Sequence, residues 1–145
     1  MDDANIPSLL SLPLLGFVDQ TDSIYQNTRR MVLSQPHNPY YLRGEEFQGI
    51  GGPHVGLRNA WPMSLLVQAM ASDDEREIME CINAVKNVSL MGLINESVDV
   101  RLGASTITRS WFAWANSVFA QTILHLAEKK PALIFNDNTP YKVRE

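Results

Sequence analysis

The chain has 145 residues, of which 45% are hydrophobic and 19% charged, a composition typical of one globular domain and not of a disordered segment. Its net charge of −4 argues against the basic surface that nucleic-acid phosphates require, so we expect no nucleic-acid partner. The apolar stretches are too short to span a bilayer, and the Met-Asp-Asp start is unlike a signal peptide. The default expectation is therefore a cytoplasmic protein with no membrane partner.

The first half of the chain predicts two helices and a long connection. Residues 5–16 begin with a candidate N-cap and end near proline and glycine, which predicts a short helix. Residues 22–34 have an amphipathic pattern, typical of a helix with one solvated face. Residues 35–60 are rich in Pro, Gly, Asn and His, but their aromatic residues argue against disorder. We expect a short hairpin or extended pieces there.

The second half predicts further helices. Residues 61–71 are apolar on nearly every side, which indicates a buried helix. Residues 72–90 open with a capping box, Ser72 with Glu75, and continue as an amphipathic helix. From about 108 to 129, apolar side chains recur at helical spacing.

No strand ladder is evident in this pattern, so we predict an all-α fold. The predicted helices alternate between half-solvated and apolar along the chain, in the order 22–34, 61–71, 74–90 and 109–128. Such an alternation is expected of two concentric helix layers, with the apolar helices inside and the half-solvated helices outside.

Cysteine and histidine usage does not indicate metal or disulfide chemistry. Cys81 is the single cysteine, so no disulfide can form within the chain, and its amphipathic surroundings favour a buried, unreactive thiol. The three histidines, His37, His54 and His125, lack the spacing of metal ligands. We therefore expect neither a metal ion nor another cofactor.

One carboxylate stands out by its neighbours. Glu96 lies among the apolar residues Ile94, Val98 and Val100, which would desolvate it and favour its protonated form. That environment suits a proton donor, although a solvated loop position is the commoner fate of a glutamate. Both interpretations remain open from the residues alone.

Aromatic and glycine-rich segments allow two interpretations each. The tryptophans at 61, 111 and 114 fit core packing better than a platform for a flat ligand such as a sugar ring, each taken singly. The segment 49–56, GIGGPHVG, lacks the ending of a phosphate-binding loop. Its glycines either permit a tight turn with close backbone approach or position His54 at a pocket.

Seven segments of the chain resemble, in order, the C-terminal part of glycoside hydrolase family 125, the metal-independent exo-α-1,6-mannosidases. They are DDANIPSLLSLPLLGF (2–17), YQNTRRMVLS (25–34), NPYYLRG (38–44), GIGGPHVG (49–56), AWPMSLLVQAM (60–70), GLINES (92–97) and TRSWFAWANSVFAQTIL (108–124). The resemblance predicts that residues 1–135 form the C-terminal portion of such a catalytic domain and that residues 136–145 form a tail.

The resemblance implies an (α/α)6 toroid around a central funnel and hydrolysis in a single inverting step. In that reaction an acid protonates the leaving oxygen while a base activates water on the opposite face of the sugar. Glu96 matches the family's general acid. The substrate-binding residues implied by the matching motifs, for an α-mannoside or glycan, are Asp2, Asp3, His54, Trp61, Arg109 and Trp111.

The chain departs from the family pattern in three respects. Asn95 precedes Glu96 where the family usually has a histidine, and Leu14 stands where an aromatic residue is common. The family's base lies upstream of the first motif, so it has no counterpart here. We therefore expect a fragment that lacks the N-terminal part of its domain and is inactive alone. That missing part is its expected partner. The alternatives are a non-catalytic carbohydrate-binding remnant and a helical interaction protein.

Overall fold

A computed structural model of the chain describes residues 2–3 and 8–135. A 3-10 helix, Leu9–Ser11, precedes five α-helices: α1 (Ser23–Val32), α2 (Pro62–Met70), α3 (Glu75–Val88), α4 (Ala113–Lys129) and α5 (Pro131–Ile134). The described residues also contain five strands: β1 (Tyr41–Arg43), β2 (Gln48–Gly52), β3 (Gly56–Ala60), β4 (Ser97–Asp99) and β5 (Gly103–Thr108). The predicted tail, 136–145, and the predicted helix start at Asn5 lie outside the described residues.

The five strands form one antiparallel sheet in the order β1-β2-β3-β4-β5. The prediction of an all-α fold is therefore wrong, and the two concentric helix layers of an (α/α)6 toroid have no support in this structure. The hairpin predicted within residues 35–60 is confirmed by the antiparallel pairing of β2 with β3. None of the described helices is long and apolar enough to cross a membrane.

The sheet was not predicted because part of it forms through close packing of backbone against backbone and not through residues of high β-propensity. Strand β2 is mostly glycine, which weakens a strand in isolation. A Cβ atom on Gly51 would lie 2.1 Å from the carbonyl oxygen of Asn59, and one on Gly44 would lie 2.0 Å from that of Val100. Only glycine permits these approaches, so tertiary pairing decides the strands.

Helix α2 forms the centre of the core. All of its residues except Gln68 are buried, as the sequence predicted, and it packs against α3, α4 and β2. The Ser64 hydroxyl donates to the Trp61 carbonyl at 2.8 Å and accepts the Ile50 N–H at 3.0 Å. This side chain therefore joins the first turn of α2 to strand β2.

Helix α4 was expected to be buried like α2, and that expectation is wrong. Its buried residues form one stripe, Ala115, Val118, Thr122 and Leu126. Leu124 and Trp114 on its other faces are exposed to solvent. The apolar spacing of α4 thus marks a single packed face and not a helix enclosed on all sides.

The cap of α3 and the state of Cys81 also follow from local contacts. Asp74, rather than the predicted Ser72, caps α3 by accepting the backbone N–H of Arg76 at 2.9 Å. Burial, together with the nearby Glu77 carboxylate, raises the pKa of the Cys81 thiol to about 12. The thiol is therefore protonated at neutral pH, in agreement with the predicted unreactive cysteine.

A polar cluster around Glu77 joins three helices. Arg29 Nη2 lies 2.7 Å from both carboxylate oxygens, Gln68 Nε2 donates to Oε1 at 2.7 Å, and Ser72 donates to Oε2. Burial alone would raise the pKa of Glu77. The hydrogen bonds from Ser72, Arg29 and Gln68 and the Arg29 charge outweigh burial, so the pKa is lowered from its ordinary 4.5.

Asn116 of α4 holds the segment that precedes β4. Its Oδ1 accepts the Ile94 N–H at 3.1 Å, and its Nδ2 donates to the Ile94 carbonyl at 2.9 Å. The same Nδ2 donates to the Phe112 carbonyl at 2.8 Å. The amide therefore pairs with Ile94 as a neighbouring strand would.

We expect Glu77→Gln to lower the free energy of unfolding by about 2 kcal/mol at neutral pH, because the amide leaves Arg29 without its charged partner. A lowered folded-state pKa stabilises the fold above 4.5, and this contribution disappears as the pH falls through the folded value. Urea unfolding at several pH values should show that the unmodified protein and Glu77→Gln differ less in free energy of unfolding as the pH falls below 4.5. The control is Glu80→Gln, which removes an exposed pair with Arg76. An equal, pH-independent loss in both variants would contradict the prediction.

We expect Asn116→Ala to lower the free energy of unfolding by about 2 kcal/mol, because it leaves the Ile94 and Phe112 backbone groups without their side-chain partner. Thermal or urea unfolding measures the loss. Asn83→Ala, at an exposed position of α3, is the matched control and should leave stability nearly unchanged. Similar losses in both variants would show that the amide of Asn116 has no special role.

Candidate active site

Glu96 lies where the ends of β4 and β5 meet. It directly precedes β4, and its backbone N–H is shared between the carbonyls of Thr108, at 3.1 Å, and Arg109, at 3.2 Å. Only 6% of the residue is exposed, and its apolar neighbours in sequence are buried as well. The structure therefore places this carboxylate in a desolvated environment, the less common of the two interpretations that the sequence left open.

The carboxylate of Glu96 is held on one oxygen. Oε2 accepts a hydrogen bond from Thr108 Oγ1 at 3.0 Å, and Arg109 Nε lies 3.5 Å from the same oxygen. None of the hydrogen bonds within residues 2–3 and 8–135 reaches Oε1. Oε1 is therefore left for a contact with another group.

Arg109 reaches Glu96 through an unusual backbone conformation. Its φ is 43°, in the left-handed region that non-glycine residues rarely adopt. The guanidinium lies 5.4 Å from the centroid of the Phe112 ring, a cation–π contact, and most of the side chain is exposed. Strain of this kind persists where surrounding contacts enforce it, and it often marks functional sites.

Asn95, the departure beside the predicted acid, contacts helix α3. Its side chain is fully buried, and Nδ2 donates to the Val88 carbonyl at the end of the helix, at 2.8 Å. None of the described hydrogen bonds joins Asn95 to the Glu96 carboxylate. The side chain at this position therefore contacts α3 and not the Glu96 carboxylate.

His54 and Trp61 form a stacked pair. Their ring centroids are 6.1 Å apart and their planes differ by 3°. His54 is exposed on the loop between β2 and β3, whereas Trp61 is buried at the start of α2. Of these two predicted binding residues, the structure places His54 at the surface and Trp61 in the core behind it.

The aromatic residues after Arg109 face solvent to different degrees. Trp111 is 71% exposed. Phe112 and Trp114 contact each other with ring centroids 6.1 Å apart and an angle of 55° between the planes. Trp111 therefore offers an aromatic surface two residues from the arginine that contacts Glu96.

Asp2 and Asp3 are docked on the fold instead of forming a frayed end. The backbone N–H of Asp2 donates to Asn38 Oδ1 at 3.3 Å, and its carbonyl accepts from Asn38 Nδ2 at 2.9 Å. Asp3 packs on Gly52, whose added Cβ would lie 3.1 Å from that of Asp3. Gly52 pairs with Gly56, so the aspartates lie at the base of the hairpin that carries His54.

A polar link that the sequence did not reveal joins this hairpin to the strands beside Glu96. Asn59 Nδ2 donates to the Val55 carbonyl at 2.9 Å and to Ser97 Oγ at 3.2 Å. Ser97 Oγ lies 2.7 Å from Thr108 Oγ1. These small polar residues belong to no motif of their own. The one available signal was that Ser97 and Thr108 lie in the segments GLINES and TRSWF.

Comparison with known proteins supports the relationship inferred from these segments. The sequence profile of the family described as metal-independent α-mannosidases (GH125) matches residues 1–124. The Meiotically up-regulated gene 157 protein of Schizosaccharomyces pombe is 58% identical over 135 residues, which cover 92% of this chain and 26% of that protein.

A solved structure agrees. The chain superposes, with a TM-score of 0.80 and 36% identity, on a metal-independent α-mannosidase from Streptococcus pneumoniae in a non-productive complex with α-1,6-mannobiose. The match covers 87% of this chain and 30% of the bacterial one. The chain thus spans about a quarter to a third of the length of these relatives. A profile match over most of its length shows that the chain belongs to glycoside hydrolase family 125, the metal-independent α-mannosidases.

Proposed function

We propose that this chain carries the proton-donating part of an exo-α-1,6-mannosidase that acts by inversion, with Glu96 as the general acid. The observation that carries the proposal is the Glu96 carboxylate, buried and held on Oε2 but with Oε1 free of described hydrogen bonds. The substrate class is supported by the bacterial relative, whose structure contains α-1,6-mannobiose.

In the proposed reaction, Glu96 gives its proton to the oxygen of the glycosidic bond. Water attacks the anomeric carbon from the opposite face while the bond from that carbon to the glycosidic oxygen breaks, and the electron pair stays on the departing oxygen. A second carboxylate, about 6.5–9.5 Å from the first, takes the proton of the water. We assign no residue of this chain to that base. Turnover measurements decide whether the chain hydrolyses a mannoside without further polypeptide.

The side chains that the matching motifs assign to substrate binding suit a sugar ligand. The exposed guanidinium of Arg109 and the imidazole of His54 can hydrogen-bond to hydroxyl groups, and the carboxylates of Asp2 and Asp3 can accept from them. Trp111 can stack on the apolar face of a pyranose ring. We propose that Trp61 contributes indirectly, by holding His54 in place.

We expect Glu96→Gln to lower kcat on α-1,6-mannobiose by about 10²–10⁴-fold, because the amide cannot donate the proton. Both proteins are assayed joined to the N-terminal part of the Schizosaccharomyces pombe relative, so that the test does not depend on activity of the chain alone. Proton NMR should show β-mannose as the first product of the unmodified chain. On α-mannosyl fluoride, whose leaving group needs little protonation, the variant should keep most of its activity. Glu128→Gln, at an exposed site on α4, is the matched control. Unchanged mannobiose turnover in Glu96→Gln, or α-mannose as the first product, would contradict the mechanism.

A second candidate function is carbohydrate binding without hydrolysis. The observation that favours it is Trp111, whose largely exposed ring resembles a sugar-stacking platform. Under this candidate, the chain binds mannobiose and does not cleave it.

We expect Trp111→Ala to weaken mannobiose binding about tenfold, the effect of losing about 1.4 kcal/mol of stacking. Calorimetric or NMR titration measures the affinity in Glu96→Gln, where cleavage does not interfere. Leu124→Ala, at an exposed apolar position of α4, should leave the affinity unchanged. Equal affinities in the two variants would exclude Trp111 from the binding surface.

A further inference from the structure

Helix α4 exposes a face that carries no charged residue. Its exposed positions recur at helical spacing and lie opposite the buried stripe of the helix, and we call them the α4 face: Ala113, Ser117, Ala120 and Leu124. Leu124 is 72% exposed, and Trp114, at the edge of the face, is 41% exposed. The sequence contains no Asp, Glu, Lys or Arg from Ser110 to Ala127.

Helix α3 shows how the same chain builds a face that meets water. Both helices pack against α2. The exposed residues of α3 are all polar, and most are charged: Glu75, Arg76, Glu80, Asn83, Lys86 and Asn87. A solvated helix face carries such residues, whereas the centre of a protein interface is depleted of charge. The α4 face therefore has the composition of an interface and not of a solvated surface.

We propose that the α4 face is an interface and that its occupant is the part of a family 125 domain that lies outside this chain. The matches to the Schizosaccharomyces pombe and Streptococcus pneumoniae relatives leave at least two thirds of each relative outside the matched part. The family profile extends to residue 124, so it includes most of α4. This inference goes beyond the proposed function and does not depend on the role of Glu96.

The side chains of the α4 face define the chemistry of the occupant. Ala113, Ser117 and Ala120 are small, so another backbone can approach the helix closely, and Leu124 and Trp114 offer apolar area at the two ends. A charged segment on this face would lose its hydration without gaining an ionic partner. The occupant is therefore an uncharged, apolar segment of protein, about 17 Å long if it follows the face as a helix.

The composition of α4 does not suit a lipid surface. Helices that lie in the membrane interface carry Lys and Arg beside their apolar face, where they meet anionic lipids. The basic residue of α4 is Lys129 at its last position, and Ser117 and Gln121 place polar groups on or beside the exposed face. These features favour a protein occupant.

The interface lies beside the candidate active site. Asn116, on the neighbouring turn of α4, pairs with the backbone of Ile94, and the Phe112 N–H donates to the Ile94 carbonyl at 3.0 Å. Ile94 is two residues from Glu96. An occupant of the α4 face therefore packs on the helix that holds the segment leading to this carboxylate.

The test measures how fast a thiol on the α4 face reacts with a maleimide. Ala120→Cys is compared in the isolated chain and in the joined protein, which is this chain fused to the N-terminal part of the Schizosaccharomyces pombe relative. We expect the thiol to react at least about tenfold more slowly in the joined protein, because the occupant excludes the reagent. Asn83→Cys, on the solvated face of α3, is the matched control and should react at the same rate in both proteins. Cys81 adds little background, because its pKa is raised to about 12.

Ser117→Cys repeats the measurement and serves if Ala120→Cys does not fold. If the joined protein does not fold, the two parts are co-expressed as separate polypeptides and labelled together. Equal reaction rates of Ala120→Cys and Ser117→Cys with and without the N-terminal part would overturn the proposal. Protection of the isolated chain that increases with its concentration, with the mass of a dimer in sedimentation, would assign the face to a second copy and overturn it as well. Protection of the isolated chain by phosphatidylcholine vesicles would overturn it in favour of a membrane.

The labelling also separates this inference from the proposed function. Glu96→Gln in the joined protein should leave the protection of Ala120→Cys unchanged, since the interface does not depend on catalysis. Full mannobiose turnover in Glu96→Gln, with Ala120→Cys still protected, would reject the general acid and leave the interface in place. An unprotected Ala120→Cys in a joined protein that hydrolyses mannobiose would reject the interface alone.

Discussion

Burial of helix α2 on nearly every side is the constraint on which the rest of the structure depends. A helix with so little polar surface must be enclosed, and here α3, α4 and strand β2 enclose it. Burial also leaves polar backbone groups near its start that need partners. Ser64 satisfies two of them, the Trp61 carbonyl and the Ile50 N–H, and thereby ties the sheet to the helix.

The candidate site is a consequence of this attachment. Strands β2 and β3 lead directly into α2, and β4 and β5 continue the same sheet toward α4. The strand ends therefore bring Glu96 and Arg109 together, while the hairpin presents His54 over the buried Trp61. Asn116 pairs with Ile94 and so fixes α4 to the segment that precedes β4. Elements that stabilise the core also determine where the carboxylate lies.

The polar interactions divide into two groups with different roles. The cluster around Glu77 joins helices and satisfies a partly buried carboxylate on both oxygens. The described side-chain contacts of Glu96 involve Oε2, and none of them reaches Oε1. A fully satisfied carboxylate has a structural role, whereas one with an oxygen held and the other available suits proton transfer.

The sequence by itself determined the features that depend on local periodicity and on motif identity. Helices α1, α2 and α3 and the buried thiol of Cys81 follow from the spacing of apolar residues, and seven ordered segments predicted the family. Only the tertiary structure decided the sheet, because glycines such as Gly51 form strands where a neighbouring backbone approaches closely. It also decided the single packed face of α4 and the hydrogen-bond chain from Asn59 to Glu96. Those contacts join residues distant in sequence, and the type of a small polar side chain does not predict its hydrogen-bond partner.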